Sequence, residues 1–192
     1  RSLTPERVIE TAARIGAPSV TAVEMMGVAP SLDEAAGAFA YLCDLAADHG
    51  LNAHIEFLPF GGIPDLAAAW AIIQAAGRPN GGLTLDSWHF FRSGSSLDLL
   101  AAIPGHRIHT VQINDAPALP SNDLLHETMH GRLLPGEGEL DLVGFLHTLD
   151  ATGCTAPISV EIFSANIAYQ PMADVIHDWA EAAHAIINQA RN

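Results

Sequence analysis

The sequence predicts an α/β fold built on a parallel sheet, in the form of a partial (β/α) barrel. The first observation is a regular alternation of short apolar strand patterns and helix patterns along the chain, which is typical of βα units. The second is that each later strand has one apolar face and one polar face. An open doubly wound sheet, the competing architecture, buries both faces and usually reads as continuous Val, Ile and Leu. The polar face therefore favours the barrel, whose active sites lie at the carboxyl ends of the strands.

Each predicted element follows from its own local pattern. Pro5 in a first turn, with Ser2 or Thr4 as the cap, begins the first helix. Ser31 and Glu34 form a capping box at the start of the second helix. The predicted helices span residues 6–17, 31–50, 65–79, 96–105, 139–153 and 172–190, and the predicted strands span residues 19–26, 51–60, 81–90, 106–117 and 157–164. A long polar loop is predicted over residues 116–138, and Met25 and Met26 are expected in the core.

Length and composition predict a single globular domain over residues 1–192. Apolar residues make up 49% of the chain and charged residues 16%, which excludes a disordered protein. A complete eight-fold barrel needs ~250 residues, so we expect a barrel that lacks its first part, and the family resemblance that the later motifs carry implies that about strands 4–8 are present. The earlier strands are then truncated or supplied by another chain, and a homo-oligomer is one way to complete the sheet.

The charge balance and the cysteines bear on partners and compartment. The chain has 8 Lys+Arg against 22 Asp+Glu, a net charge of −14, which disfavours nucleic acid as a partner. No run of 18 apolar residues occurs, so no membrane association is expected. Cys43 and Cys154 show no disulfide framework, which fits a reducing, cytoplasmic setting.

Polar side chains occupy equivalent positions near the ends of the last four predicted strands. These residues are Glu56, Asp86, Gln112 and Glu161. Each alone is explained as a solvated or hydrogen-bonded group at a strand end. Together they predict a metal site, because three converging carboxylates repel one another unless a cation is present. The oxygen-rich set suits one Mn²⁺ or Mg²⁺ ion, with Zn²⁺ or Co²⁺ as alternatives.

Several motifs occur in order from about residue 50 to the end of the chain: IEFLPF, LTLDSWHFFRSG, VQINDAP, GRLLPGEGELDLVGF and VEIFS. As a set they resemble the sugar phosphate isomerase/epimerase family, the xylose isomerase-like TIM barrels. The resemblance implies that Glu56, Asp86, Gln112 and Glu161 are metal ligands. It also implies that His89 and Arg132 contact a small-molecule sugar or sugar-phosphate substrate.

The implied chemistry is proton transfer on a metal-chelated hydroxy-ketone through an enediolate. Glu56 and Glu161 are the candidates for removing and returning the proton. His89 either orients a substrate hydroxyl or supports a ligand, and Arg132 either pairs with a substrate oxygen or forms a surface ion pair. Trp88 is a candidate wall of the substrate pocket, with plain core as the alternative.

Gln112 leaves the reaction type open. Many ketose epimerases of this family have His at this position, whereas 3-dehydroshikimate dehydratases are among the branches with Gln. Returning the proton gives an isomerase or epimerase, and expelling a β-hydroxyl gives a lyase. The motifs around Asp86 and Arg132 favour the isomerase.

HETMH, residues 126–130, fits the H-E-x-x-H pattern of zinc peptidases and is a competing metal site. Gly131 ends any helix there at once, and no H-x-x-G-x-x-H continuation follows. We therefore expect this segment to lie over the barrel mouth and to place Arg132, with His126 facing the pocket as a further possibility. An apurinic endonuclease needs three zinc ions and a basic face, which the charge disfavours. A non-catalytic sugar-binding barrel is disfavoured because both candidate acid/base glutamates are present.

Overall fold

The computed structural model describes residues 3–164, 167 and 169–192, and these residues form one parallel sheet packed against helices. The strands are β1 (Ser19–Val23), β2 (Asn52–Glu56), β3 (Gly81–Asp86), β4 (Ile108–Ile113) and β5 (Ile158–Val160). The helices are α1 (Pro5–Ile15), α2 (Leu32–Ala47), α3 (Leu66–Ala76), α4 (Ser87–Arg92), α5 (Leu97–Ala101), α6 (Leu124–His130), α7 (Leu142–Ala151) and α8 (Met172–Arg191). The strands pair in chain order, all in parallel.

The apolar core lies between one face of the sheet and the helices. Ile55 of β2, Leu83 and Leu85 of β3, and Val111 and Ile113 of β4 face this core, as their period-two spacing predicts. The helices contribute Phe39, Cys43, Leu66, Ile72, Phe145 and Leu149 to it. The opposite face of the sheet is left to the polar residues. Across the described ranges, no helix has the length and apolar content needed to cross a membrane.

The ends of the first helices confirm the predicted capping at one position and not at another. Ser31 Oγ accepts the Glu34 N–H, and the Glu34 carboxylate accepts the Ser31 N–H at 3.0 Å, which is the predicted capping box. Thr4 is the N-cap residue of α1, but its hydroxyl makes no capping bond to the described helix backbone. Ser2, the alternative cap, lies outside the described residues.

Two predicted boundaries near the polar face were wrong. The strand predicted over residues 81–90 ends at Asp86, because the Asp86 carboxylate accepts the His89 N–H at 2.9 Å and so caps α4. The loop predicted over residues 116–138 contains α6, which is capped in the same way by Asp123. In both cases an aspartate caps a short helix, and α6 contacts α4 through the hydrogen bonds that Glu127 accepts from Trp88 and Arg92.

The end of the first strand also differs from the prediction. β1 ends at Val23, and the Glu24 carboxylate then accepts the N–H groups of Met26 and Gly27. This turn directs the chain away from the sheet. Met25 and Met26 are consequently 69% and 85% exposed, so the expectation that they lie in the core was wrong.

Candidate active site

The predicted metal-ligand residues meet at the carboxyl edge of the sheet. Glu56 and Asp86 are the last residues of β2 and β3, and Gln112 of β4 lies opposite Asp86 in the strand register. Glu161 directly follows β5, and its Oε1 accepts a hydrogen bond from Gln112 Nε2 at 2.9 Å. Parallel pairing therefore brings side chains from four strands to one edge, as the sequence predicts.

A buried arginine, Arg132, connects Asp86, Glu161 and His89. Arg132 is 3% exposed, and its Nη1 donates to Asp86 Oδ2 at 3.0 Å and to Glu161 Oε2 at 3.1 Å. Its Nη2 lies 3.3 Å from His89 Nε2. The alternative of a surface ion pair is wrong, because the segment after α6 folds back over the strand ends and pairs with Asp115 in an antiparallel bridge.

His89 lies between Arg132 and Glu56, with its Nε2 3.6 Å from Glu56 Oε1. Burial lowers the pKa of His89 to about 4 against the opposing effect of Asp86, so the imidazole is neutral at pH 7. A neutral imidazole accepts the Arg132 hydrogen bond at Nε2, which assigns the proton to Nδ1. Among the described residues Nδ1 has no hydrogen-bond partner. Both predicted roles of His89, substrate contact and support of a ligand, are compatible with this position.

Burial and neighbouring carboxylates raise the pKa values of the two glutamates at this edge. Burial raises the pKa of Glu56 to about 7, and the charges of Asp86 and Glu161 add to this effect while Arg132 opposes it. Burial and Asp86 likewise raise the pKa of Glu161, against Arg132 and the hydrogen bond from Gln112. The edge is therefore short of positive charge even with a buried arginine present.

The donor set matches the chemistry of a divalent cation. Gln112 Oε1 is buried and has no hydrogen-bond partner in the described structure, so this oxygen is available as a ligand beside the crowded carboxylates. Within the described residues, however, no three His, Cys, Asp or Glu side chains are close enough to form a cation site as they stand. Arg132 Nη1 bridges the carboxylates of Asp86 and Glu161. Binding a cation through all four predicted ligands therefore requires side chains to move.

Trp88 lies beneath Arg132 and is fully buried. Its ring centroid is 5.5 Å from the guanidinium carbon of Arg132 and 5.3 Å from the ring centroid of His89. Its Nε1 donates to Glu127 Oε1 at 2.9 Å. The indole supports the two predicted substrate-contacting residues by cation–π and edge contacts. The predicted pocket wall at Trp88 is not present in this structure, because the ring has no exposed surface.

The HETMH segment forms α6, and its geometry differs from that of a peptidase zinc site. His126 and His130 are exposed, with ring centroids 4.8 Å apart. Glu127 is buried, and its carboxylate accepts hydrogen bonds from Arg92 Nε at 2.6 Å and from the N–H of Ser121. Although burial opposes the change, these bonds lower the pKa of Glu127. Glu127 is therefore engaged in a buried ion pair and is not directed at the imidazoles as a general base.

Two residues that sequence reasoning left without a role contact the site directly. Thr128 Oγ1 accepts hydrogen bonds from Arg132 Nε at 3.1 Å and Nη2 at 2.6 Å, so α6 orients the guanidinium. Asn114 donates to Asp86 Oδ2 at 2.6 Å. The position of Asn114, two residues after Gln112 on the same strand face, is a signal that could have found it. Nothing local to the sequence marks Thr128.

Asp115 organises the PGEG turn that leads into α7. Its Oδ2 accepts the N–H of Gly136 at 3.0 Å, and its Oδ1 accepts the N–H of Leu140 at 3.0 Å. Gly136 has a φ of 91°, and Gly138 packs so closely on Asp115 that a side chain there has no space. These contacts hold the PGEG segment as a tight turn that leads the chain into α7.

A polar layer lies on the same face of the sheet, further from the strand ends. His54 is 3% exposed, its Nδ1 bonds to Thr84 Oγ1 at 2.5 Å, and its Nε2 bonds to Ser19 Oγ at 3.0 Å. Burial, with a smaller effect of His109, lowers the pKa of His54 to about 4. His54 is thus a buried, hydrogen-bonded histidine of this polar layer.

This lowered pKa predicts a pH-dependent stability. Between the unperturbed His pKa of about 6.5 and about 4, the unfolded chain binds a proton at His54 that the folded chain does not. The free energy of unfolding therefore falls as the pH falls through this window, by at most ~1.4 kcal/mol per pH unit from this group. In urea unfolding with a chelator present, the slope against pH is expected to be shallower in His54→Gln than in wild type. Equal slopes would contradict the assignment.

Comparison with known proteins supports this architecture. The family described as xylose isomerase-like TIM barrel matches residues 5–188. The chain belongs to this family. The predicted partial barrel and the predicted family resemblance are thereby confirmed. The solved structure of the IolI protein with a bound zinc atom superposes with a TM-score of 0.88 at 25% identity, covering 97% of this chain and 68% of that one.

Curated relatives of the family carry two kinds of activity. The 3-dehydroshikimate dehydratase of Pseudomonas aeruginosa is 37% identical over 124 residues, which is 64% of this chain and 19% of that protein. The inosose isomerase of Bacillus velezensis is 29% identical over 189 residues, 95% of this chain and 66% of that protein. The chain thus spans about a fifth of the dehydratase and just under two thirds of the isomerase.

Proposed function

We propose that this chain carries the active site of a divalent-metal-dependent isomerase or epimerase acting on a ketose, a sugar phosphate or a related polyol-derived hydroxy-ketone. The observation that carries the proposal is the convergence of Glu56, Asp86, Gln112 and Glu161 at one edge of the sheet, where a buried arginine bonds to two of them. The similarity to an inosose isomerase over 95% of the chain supports the same reaction class. Mn²⁺ or Mg²⁺ is the proposed ion, with Zn²⁺ or Co²⁺ as alternatives, and zinc is present in the similar IolI structure.

The four converging side chains would hold the cation, and two of them would also move the proton. A divalent cation held by these oxygens supplies the Lewis acidity that acidifies the C–H bond beside the substrate carbonyl. Glu56 ends β2 and Glu161 follows β5, so they approach the site from different strands. A carboxylate that binds a cation through one oxygen keeps the other free to accept or return a proton. Burial raises the pKa of Glu56 to about 7, which suits a group that exchanges a proton near neutral pH, and it raises the pKa of Glu161 in the same direction.

Arg132, His89 and Phe163 are the proposed substrate contacts. The Arg132 guanidinium donates to the carboxylates of Asp86 and Glu161 in this structure, and a substrate hydroxyl, carbonyl or carboxylate oxygen would accept from it once a cation takes those carboxylates. The His89 Nδ1–H, which lacks a partner among the described residues, is a second donor. Phe163 is 45% exposed, and its ring centroid lies 5.5 Å from the Arg132 guanidinium carbon. Trp88 acts as support for Arg132 and His89 in this proposal.

A metal-dependent lyase of the 3-dehydroshikimate dehydratase type is the second candidate. Two observations favour it: Gln112 at the third ligand position, and 37% identity to two dehydratases from Pseudomonas species. In this reaction the same glutamates would remove a proton, and the adjacent carbon would lose its hydroxyl as water. The residues that hold the cation are the same in both candidates, so the two differ only in the fate of the deprotonated substrate.

The metal content of three proteins tests the proposed site. Wild type, Glu161→Ala and His126→Ala are reloaded with Mn²⁺ or Zn²⁺, dialysed and assayed by elemental analysis. We expect Glu161→Ala to lose one equivalent of metal and His126→Ala to keep it, because Glu161 lies beside Gln112 whereas His126 is exposed on α6. Loss of zinc from His126→Ala together with its retention in Glu161→Ala would overturn the proposal in favour of the HETMH site.

Product mass separates the two candidate reactions. The metal-loaded protein is incubated with ketoses, sugar phosphates, inosose and 3-dehydroshikimate. The masses of the products are then measured by mass spectrometry. In H₂O, the product of an isomerase or epimerase has the same mass as the substrate. In D₂O, that product carries solvent deuterium on carbon. A dehydratase product is lighter by one water, and that result would replace the isomerase with the lyase.

A further inference from the structure

We propose that Asn114 is a positioning residue that holds the Asp86 carboxylate and the Glu161 backbone in register and thereby sets the affinity of the site for a divalent cation. The inference rests on the proposed metal site and concerns a residue outside the proposed ligand set. Asn114 follows β4 directly and is fully buried. It lies between the strand ends that carry Asp86 and Glu161.

One amide group bridges the neighbouring strands. Asn114 Nδ2 donates to Asp86 Oδ2 at 2.6 Å and to the Glu161 carbonyl oxygen at 3.1 Å. Both protons of the amide are therefore directed at predicted ligand residues. Because β5 is short and pairs with β4 over only Ile158–Val160, this contact extends the connection between the two strand ends beyond the sheet itself.

Ser87 contacts the backbone and the side-chain oxygen of Asn114 and so holds this residue in place. Ser87 Oγ donates to the Asn114 carbonyl oxygen at 2.7 Å and lies 3.0 Å from Oδ1, while the Asn114 N–H donates back to Ser87 Oγ at 2.9 Å. The Asp86 carboxylate and the Glu161 carbonyl oxygen can only accept, so they select the amide orientation in which Nδ2 faces them, and the Ser87 hydroxyl beside Oδ1 is compatible with it. The bridge is therefore anchored on the side away from the ligands.

Asp86 depends on this bridge for its orientation. Its Oδ1 accepts the His89 N–H at 2.9 Å, and its Oδ2 is shared by Asn114 and Arg132. Arg132 Nη1 divides its hydrogen bonds between Asp86 Oδ2 and Glu161 Oε2, so it does not fix the Asp86 carboxylate by itself. The Asn114 side chain is short and buried, so it has few alternative rotamers and can hold the Asp86 carboxylate in one position. Hydrogen-bond partners that orient ligand carboxylates in this way are worth about 10–100-fold in metal affinity.

The test measures the Kd for Mn²⁺ by competition with a fluorescent chelator. The variants are Asn114→Ala and Asn114→Leu, of which the second keeps the side-chain volume. Asn80→Ala is the matched control, because Asn80 Nδ2 also donates two bonds, to Cys43 O at 2.8 Å and Leu51 O at 3.1 Å, but at the opposite end of β3. Melting temperatures of the metal-free proteins are measured in parallel.

We expect the Kd to rise about 10–100-fold in both Asn114 variants and to stay at the wild-type value in Asn80→Ala, although the melting temperature falls at both positions. Ser87→Ala, which keeps the amide but removes its anchor, is expected to raise the Kd by a smaller factor. Wild-type Kd values in the Asn114 variants would overturn this inference alone. An equal rise in Asn80→Ala would also overturn it, since general loosening then explains the change. A wild-type protein that binds no divalent cation would instead overturn the proposed function.

Discussion

Glu161→Gln is expected to lower kcat/KM by about 10²–10⁴-fold on whichever substrate wild type turns over, because an amide cannot accept and return the proton. The protein is expected to stay folded. Gln112 and Arg132 donate to different oxygens of Glu161, so an amide oxygen can keep one of these two hydrogen bonds. The Glu161 side chain is 31% exposed, so water can serve the position that the amide nitrogen takes. The measurement is steady-state kinetics at saturating metal, together with a thermal melt and elemental analysis of the same samples.

Glu10→Gln is the control for this prediction. Glu10 is exposed on α1, so the same chemical change there should leave kinetics, metal content and melting temperature at wild-type values. A Glu161→Gln protein with near-normal activity would end the proposal that two glutamates share the proton transfer. Loss of metal from Glu161→Gln would assign the effect to ligation, and loss of activity with metal retained would assign it to the proton.

Glu127→Ala is expected to lower the free energy of unfolding by about 3–5 kcal/mol, the range for removing one partner of a buried ion pair. The Arg92 side chain is 4% exposed and bonds to Glu127 Oε1 at 2.6 Å, so the substitution leaves a buried guanidinium without its carboxylate. The Trp88 Nε1–H loses its acceptor at the same time. Urea unfolding of the metal-free protein measures the change.

His126→Ala and His130→Ala are the matched controls on the same helix. Both imidazoles are exposed, so each substitution should change the unfolding free energy by no more than about 0.5 kcal/mol. A Glu127→Ala protein as stable as these controls would show that the glutamate does not anchor α6. If all three substitutions removed bound zinc and left stability unchanged, the helix would be a metal site and not a structural element.

The parts of the fold that depend on local pattern could be predicted. The capping box of Ser31 and Glu34 follows from contacts between residues close in sequence. Period-two geometry gives the alternation of Leu83 and Leu85 with polar neighbours and the ligand positions at successive strand ends. Parallel pairing then brings equivalent strand positions together. The convergence of Glu56, Asp86, Gln112 and Glu161 could therefore be predicted without knowing the long-range packing.

Long-range contacts decided the rest. Arg132 is buried because Thr128, Asp86 and Glu161, up to 46 residues distant, supply its acceptors. The same holds for Trp88, whose acceptor is 39 residues away on α6. A sequence window cannot show which buried carboxylate meets which donor, because that pairing depends on how loops cross the strand ends.

The sequence by itself thus determined the parallel α/β architecture and the edge at which polar residues gather, since both arise from strand periodicity. Only the tertiary structure decided that Thr128 is the residue of HETMH that holds Arg132, and that Asn114 bridges two ligand-bearing strands. The physical reason is the cost of burying polar groups: each buried donor and acceptor must find a partner, and here those partners come from distant segments.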